Sequence, residues 1–505
     1  MIETQAAILQ TFISSLFSIL QWPTFGFLLL GLLIGFWVGV LPGLGGATGL
    51  ALMLPFIFTM DPLTAFAFLL GMHSVTQTTG DITSVLFAVP GEASTAATIL
   101  DGFPLARQGQ AERALGIALS SSLIGSWVGA FVLALSVPFA RPLVLLIGPP
   151  ETFMLTLLGL TFVASLSGGS TSKGLLMAGF GLLLSTVGQD PGTGLLRYTF
   201  GEIHLFDGIP LLPAVVGLFA IPPIIELMGT RSSVARELPP SGSGWLRGVV
   251  DTLHHWRTTV RSSLIGVLFG MIPGLSASAA QWVAYAQAYQ ASKQKDLFGK
   301  GSIEGLVAAG AVNNAKEGAG LIPTLGFGIP GSASMAILLG AFLITGITPG
   351  PEMLTTHLDL TFSMVWAIVV SNVITVAGCF LFIRQLAKVT FVRGSILVPP
   401  LVILVSLGAY TARNTLFDLV LMILFGVFGW AATRGRWPLA PLLLGLVLGR
   451  SAERNFFISY SFFGWHWLYR PAVIVLAVVI ISALFWPMIA ARRRAIVLNS
   501  VNVPP

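Results

Sequence analysis

FLLLGLLIGFWVGVLPGLGGATGLALMLPF, residues 27–56, holds no charged side chain and lies within a longer charge-free run bounded by Glu3 and Asp61. A bilayer core is crossed by about 20 apolar residues in helical form, so this run is long enough to enter a membrane, turn and leave. Further charge-free runs cover 114–140, 152–172, 208–225, 262–292, 318–351, 360–383 and 471–491. The apolar segments are continuous rather than alternating, which excludes a β-barrel and predicts a polytopic, all-α membrane protein.

Composition agrees. Lys, Arg, Asp and Glu make up 9 % of the 505 residues, hydrophobic residues 55 %, against roughly a quarter charged in a soluble domain. That leaves too little charge to cover a water-exposed surface, so a soluble enzyme, a nucleic-acid binder and a disordered chain are excluded. The net charge of +6 sits in loops between apolar runs, where it reads as a topology signal rather than a nucleic-acid footprint. The N-terminus has no basic segment followed by a small-residue cleavage site, which predicts no removable signal peptide. Cys379 is the single cysteine, so an intramolecular disulfide and a cysteine-based metal site are ruled out.

The proline–glycine elbow in the opening stretch recurs. GVLPGL at 39–44 returns as GMIPGL at 270–275, and GDITSVLFAVPGEASTA at 80–96 returns as GLIPTLGFGIPGSASMA at 320–336, identical at eight of 17 positions. The spacing from Pro-Gly to Pro-Gly is 48 residues in the first half and 57 in the second. Two pairs in the same order indicate a duplicated unit. The expected organisation is an N-terminal helix at 1–23, a first repeat at 24–228, a linker at 229–261, a second repeat at 262–412, and C-terminal helices with a basic tail at 413–505, with 11–12 transmembrane segments in all.

Arg231, Arg236, Arg247, Arg257 and Arg261 place the linker in the cytoplasm by the positive-inside rule. Counting spans near 208–228, 174–189, 143–166 and 114–138 backwards puts Arg107, Arg113 and Lys173 inside, and counting forwards puts Arg492–Arg494 inside. Equivalent points of the two repeats then face opposite compartments. An inverted-topology repeat with broken helices or re-entrant hairpins is a transporter architecture.

Proline removes a backbone donor and glycine accepts unusual dihedrals, so Pro42-Gly43-Leu44-Gly45-Gly46 predicts a helix broken at membrane depth. Such backbone persists only where protein or water satisfies it, and the half-helix beyond the break directs free N–H groups at the cavity. Hydroxyls follow each elbow: Thr48 after the first, Ser94 and Thr95 after Pro90-Gly91, Ser276 and Ser278 after Pro273-Gly274, and Ser332 and Ser334 after Pro330-Gly331. Neutral donors in that number suit a carboxylate, and carbonyls freed by the breaks suit Na⁺. Asn313 and Asn314 are further candidates for substrate contact, although hydrogen bonds between helices account for them equally well. Gln77, Asp81, Lys316 and Glu317 are candidates for the coupling ion, because ionisable groups at depth are costly and line transport paths, the alternative for the last two being an internal Lys316–Glu317 pair. Asp81 needs a cation nearby; Lys316, Na⁺ or a proton would serve. His73 reads as structural. Trp430, Trp437, Trp465, Trp467 and Trp486 read as interfacial anchors.

With these motifs in place, the chain resembles the large membrane subunit of tripartite tricarboxylate transporters, the TctA family. GVLPGLGG, GMIPGLSAS, VPGEASTAATILDGFPLARQGQAERALGIA and EGLVAAGAVNNAKEGAGLIPTLGFGIPGSASMAILLGAFLITGITPGP carry the resemblance, over about residues 25–385. The resemblance implies a secondary, ion-driven importer of organic acids in the bacterial inner membrane, coupled to Na⁺ or H⁺ and without other cofactors. It also implies two partners, a small four-helix membrane subunit and a periplasmic solute-binding protein. Ala88, Asp81, Gly310 and Ser276-Ala277 depart from the family pattern beside the expected site. Those departures leave the substrate open, citrate being no more favoured than another carboxylate, and a homo-oligomer stays open too.

The rival functions differ in what they require. An ATP-driven pump needs a phosphate-binding loop, and G-x-x-x-x-G-K-[ST] is absent. An intramembrane serine hydrolase built on Ser276 needs a histidine base, and only His73 lies at depth. An anion channel uses the same broken helices and is separated by ion dependence and saturable flux.

Overall fold

The structure, a computed structural model, describes residues 2–41, 44–144, 147–166, 170–190, 193–229, 244–273, 277–383, 394–411 and 413–484. It is an all-α membrane protein whose only strands among those residues are a two-residue pair, β1 (Gly188–Gln189) and β2 (Leu196–Arg197). The first half comprises α1 (Ile2–Leu20), α2 (Thr24–Val40), α3 (Gly45–Met53), α4 (Pro62–Phe87), α5 (Thr98–Leu105), α6 (Ala111–Val144), α7 (Pro149–Leu166), α8 (Thr171–Ser185) and α9 (Leu211–Gly229). The remainder comprises α10 (Trp245–His254), α11 (Trp256–Met271), α12 (Ala277–Ala291), α13 (Ile303–Phe327), α14 (Ala333–Ile344), α15 (Leu358–Leu381), α16 (Gly394–Thr411), α17 (Leu416–Arg434) and α18 (Leu439–Phe463).

The duplication is visible in three dimensions. Asp61 caps α4 by accepting from Thr64 N, and Ser302 caps α13 by accepting from Gly305 N. Each helix ends on a left-handed residue, Ala88 with φ 54° and Gly328 with φ 66°. Glycines of α2 lie against the backbone of α4, Gly35 over Met72 and Gly39 over Thr76. In the second half Gly266 and Gly270 of α11 lie over Val312 and Lys316 of α13 in the same way. Small residues let helices approach closely where lipid supplies no hydrophobic drive, so a side chain on these faces would push the pairs apart.

α4 and α13 are buried almost throughout, although they carry the most polar sequence in the membrane region. They cross antiparallel, with His73 opposite Glu317 and Gln77 opposite Asn313. In the repeat alignment His73 corresponds to Asn313 and Gln77 to Glu317, so each contact is the image of the other. Reciprocal pairing of this kind marks a two-fold axis perpendicular to the two helices. It is the geometry of inverted halves, which helices related by an axis along their length would not produce.

Thr98–Ala140, Leu358–Leu381 and Leu416–Arg434 are each long and apolar enough to cross a membrane unaided. Two bent pairs, Ala7–Leu20 with Thr24–Val40 (72°) and Leu439–Tyr469 with Pro471–Leu484 (74°), bring the total to five among the described residues. The expected 11–12 segments are therefore not all full-length apolar spans. The elbows cut several runs into half-helices, and the polar interiors of α4 and α13 lower their hydropathy. Leu33, Phe131, Leu135, Phe139, Ile423 and Val427 are exposed in a manner that only lipid or a partner helix accommodates.

Residues 245–254 of the expected linker form α10, which packs on α6. Asp251 accepts two hydrogen bonds from Arg113, at 2.6 Å from Nε and 3.0 Å from Nη2, and Thr252 bonds Ser120 at 2.8 Å. Residues 230–243 of that linker, Trp486 and the Arg492–Arg494 tail lie outside the described residues. Trp467 corrects the reading of the five tryptophans as interfacial anchors. It is buried against Phe153 and Phe456, whereas Trp465 is exposed. Arg197 of β2 ties the loop before α9 to α18 through Glu453, at 2.8 Å and 3.0 Å, and the pair raises the Arg197 pKa.

Candidate functional site

The elbows meet in pairs. Gly91 of the second elbow packs on the first: a methyl there would sit 2.6 Å from the Gly39 carbonyl oxygen and 2.6 Å from Gly80 Cα. Gly331 of the fourth elbow faces the third in the same arrangement but more loosely, at 3.1 Å from the Gly270 oxygen and 4.0 Å from Gly320 Cα. The halves also exchange contacts. The turn Ala93–Thr95 packs on α12, while α14 packs on α3. Pro42, Gly43, Gly274, Ser276 and the side chain of Ser278 lie outside the described residues; Pro273 occupies the turn after α11.

Glu92 organises the first half of the site, and nothing in the sequence reading singled it out. Its Oε1 accepts the Gly46 N–H at the start of α3, and its Oε2 accepts from Gln77 Nε2 at 2.7 Å and lies 3.1 Å from Ser94 Oγ. Ser94 also reaches Gln77 Oε1 at 2.9 Å. Thr95 closes the turn onto the Glu92 carbonyl at 3.0 Å and meets Ser84 at 2.9 Å. The helix N-terminus expected to receive a ligand carboxylate thus already holds one from the chain itself, placed where the helix dipole and free N–H groups favour it. Gly45 starts α3 with φ 54°, and a methyl on Gly46 would lie 2.5 Å from His73 Nδ1 and 2.8 Å from Thr76 Oγ1. The counterpart of Glu92 is Ser332, which caps α14 by accepting from Met335 N at 3.3 Å. Thr48, Ser334, Pro330 and Gly331 are buried around these turns, while Pro90 is half-buried.

His73 Nε2 lies 2.9 Å from Glu317 Oε2, and Lys316 Nζ bonds Glu317 Oε1 at 3.2 Å; all three side chains are buried. Lys316 is therefore the partner of Glu317, which corrects the expectation that it could neutralise Asp81. Since 73 pairs with 317 and 77 with 313, position 81 lies opposite 309. That is roughly 10 Å, two helical turns, from Lys316 along α13.

Beside this cluster, Asn314 Nδ2 lies 2.6 Å from Thr78 Oγ1, 2.9 Å from Ser122 Oγ and 3.0 Å from Asn372 Oδ1. It joins α4, α6, α13 and α15 at one buried node. Asp81 Oδ1 accepts from Thr98 at 2.8 Å, and Gln281 of α12 donates to Thr98 at 3.1 Å while accepting from Ala97 N at 2.8 Å. Asp101 accepts the backbone N–H groups of Gly299, Gly301 and Ser302 at 2.8, 3.0 and 2.8 Å and the Tyr285 hydroxyl at 2.9 Å. It pins the loop before α13 to the second elbow's helix.

Among the described residues of this cluster no hydroxyl or thiol side chain is hydrogen-bonded to a histidine ring. Ser276, the one serine that sequence offered as a nucleophile, lies outside the described residues. His73, the histidine at depth, is engaged by Glu317 through Nε2. Among the described residues no group of three or more His, Cys, Asp or Glu side chains could hold a metal ion.

Residues 25–444 match the model of the tripartite tricarboxylate transporter TctA family. An uncharacterised 52.8 kDa protein from the TAR-I ttuC′ 3′ region of Agrobacterium vitis is 34% identical over 425 residues, 84% of each chain. An uncharacterised protein from the TAR-II ttuC′ 3′ region of the same organism is 34% identical over 190 residues, 38% of this chain and 78% of its own length. No solved structure matches. With four paired elbows, two inverted halves and a family match spanning both, the chain belongs to the tripartite tricarboxylate transporter TctA family, as the large membrane subunit of a transporter.

Proposed function

We propose that the protein is a secondary active importer of tricarboxylates or related organic acids in the bacterial inner membrane, driven by Na⁺ or H⁺. It works with a small four-helix membrane subunit and a periplasmic solute-binding protein that delivers the substrate. The observation that carries this reading is the buried cluster at the crossing of α4 and α13. Asp81 and Glu317 are buried there, the half-buried Glu92 bonds Gln77 of α4, and Lys316 is the one lysine or arginine among them.

A site with that excess of negative charge repels an organic anion unless cations arrive with it. Cation-coupled entry follows, with the charge of the cluster and of the substrate offset together. The elbows divide the binding. In the first half Glu92 fills the α3 N-terminus, and in the second half the uncharged Ser332 stands at the equivalent position. The N-terminus of α12, reached through Pro273-Gly274 with Ser276 and Ser278, is where we place a substrate carboxylate. In the first half we assign the corresponding substrate contacts to Pro42, Gly43, Gly45 and Thr48. Rocking of one inverted half against the other would expose the site to each side in turn.

Uptake of radiolabelled tri- and dicarboxylates by bacteria expressing all three components tests this reading. Saturable accumulation of at least one acid, dependent on the binding protein and lost when the ion gradient is collapsed, is expected. Flux that is linear in substrate and indifferent to the gradient would identify an anion channel instead.

A further inference from the structure

Asp81 and Asn313 each present a buried oxygen that no donor reaches. Asp81 is fully buried, and its Oδ2 has no hydrogen-bond partner; Asn313 is 3 % exposed, and its Oδ1 has none either. The Asn313 amide lies beside the Asp81 carboxyl group, held there by its own donor bond to the Gln77 carbonyl at 3.2 Å. The other Asp81 oxygen accepts from Thr98, whose hydroxyl accepts in turn from Gln281. Gln281 is fixed by Ala97 N and by a donor bond to the Ala309 carbonyl at 3.3 Å. Four helices, α4, α5, α12 and α13, thus converge on one carboxylate, one amide oxygen and one hydroxyl.

A carboxylate removed from water requires a positive charge or several donors, and this one is held by neutral groups, the Thr98 hydroxyl and the Asn313 side chain. The nearest membrane-embedded lysine, Lys316, is bound to Glu317. A proton would occupy one oxygen, whereas oxygens contributed by different helices match an ion that takes several hard ligands at once. One carboxylate balances one positive charge, which points to a monovalent ion.

We propose that Asp81, Asn313 and Thr98 form a Na⁺ site. Asp81 Oδ2 and Asn313 Oδ1 are direct ligands, the Thr98 hydroxyl supplies a further oxygen, and Gln281 holds Thr98 in place. The proposal rests on the cation-coupled reading above and names the position of the cation. It also gives the halves unequal roles, because the repeat counterparts of Asp81 and Asn313 are Leu321 and His73, which cannot reproduce the set. One Na⁺ binds here per chain. The site joins the helix that follows the second elbow, α5, to the helix that follows the third, α12. Na⁺ therefore locks the two halves in one relative position, and its release frees them.

Na⁺ binding is read on the purified full-length chain, without organic acid, as the thermal unfolding midpoint against NaCl, with choline chloride holding ionic strength constant. The wild-type midpoint is expected to rise saturably with Na⁺ and not with K⁺ or choline. Asp81→Asn and Asn313→Ala should each raise the half-saturating Na⁺ concentration by about tenfold or more. Thr98→Val, which preserves shape, should weaken Na⁺ binding in the same direction and carries the test if Asp81→Asn does not fold. A wild-type midpoint indifferent to Na⁺, one that rises only on acidification, or variants with wild-type half-saturation would each overturn the site. A Na⁺-dependent rise lost in Asp81→Asn, in a protein that moves no organic acid, would keep the site and refute the proposed function.

Discussion

Replacing Glu92 by Gln keeps the shape of the side chain and removes its charge. In the wild type both carboxylate oxygens face donors, the Gly46 N–H on one side and Gln77 Nε2 with Ser94 Oγ on the other. An amide has a single acceptor atom, so whichever way it turns, its NH₂ meets a donor unless Gln77 also flips. Hydrogen bonds to a charged group contribute about 1.5–3 kcal/mol and neutral ones about 0.5–1.5 kcal/mol. Neutralising two or three of them, together with the charge at the start of α3, costs about 2–3 kcal/mol. Chemical unfolding of the purified chain should show that loss, and uptake should fall by about tenfold or more as the α3 turn loosens. The substitution makes the cluster less negative, so electrostatics alone would favour an anionic substrate; a fall in uptake therefore reports lost geometry. Glu92→Asp, which keeps the charge but not the reach, should be impaired as well. Wild-type stability and uptake in Glu92→Gln would show that the carboxylate is solvated and that the elbow is held by packing.

Gly91→Ala places its methyl 2.6 Å from the Gly39 oxygen and should destabilise by about 1–3 kcal/mol, whereas Gly331→Ala, at 3.1 Å from Gly270, should be nearer wild type; unfolding midpoints compare them. Asp81→Asn should impair uptake more than Asp81→Ser, which restores the small hydroxyl that the family resemblance implies there, and initial rates against Na⁺ and pH at matched expression check the order. Asp101→Asn weakens the bonds to Gly299, Gly301 and Ser302 and should speed proteolysis of the loop before α13, seen as faster cleavage of folded protein. A cysteine at position 241 should label only from the cytoplasm and one at the exposed position 352 only from outside; the reverse would invert the topology.

Much of the fold was legible because apolar runs and repeated motifs are local signals. The spans expected near 208–228, 174–189, 143–166 and 114–138 appear as α9, α8, α7 and α6 with ends moved by a few residues. The αL exits at Ala88 and Gly328 fall at the repeated Pro-Gly motifs. The partners within the site were not legible. Glu92 sits in a motif read for its glycine and hydroxyls, and its acceptor role depends on Gly46 arriving from the other elbow. Asn372 lies in an otherwise apolar helix, where one amide looks like a tolerated exception until Thr78 and Asn314 are seen around it. Lys316 was a plausible partner for Asp81 when the two segments were compared by equivalence. The antiparallel crossing pairs each position with a different one and leaves them two turns apart. α10 was hidden because its polar face reads as linker, and only packing on α6 through Gly248 and Thr252 reveals the other face.

Transport by the three reconstituted components is the most direct measurement of whether this crossing of broken helices performs cation-coupled import. Proteoliposomes containing both membrane subunits, with the binding protein and a labelled organic acid outside, are given an inward Na⁺ gradient, an inward proton gradient or neither. Accumulation above the external concentration under a cation gradient, saturable in substrate and reduced in Asp81→Asn, is the predicted result. Equilibration without accumulation under every gradient, at a rate that does not saturate, would contradict it.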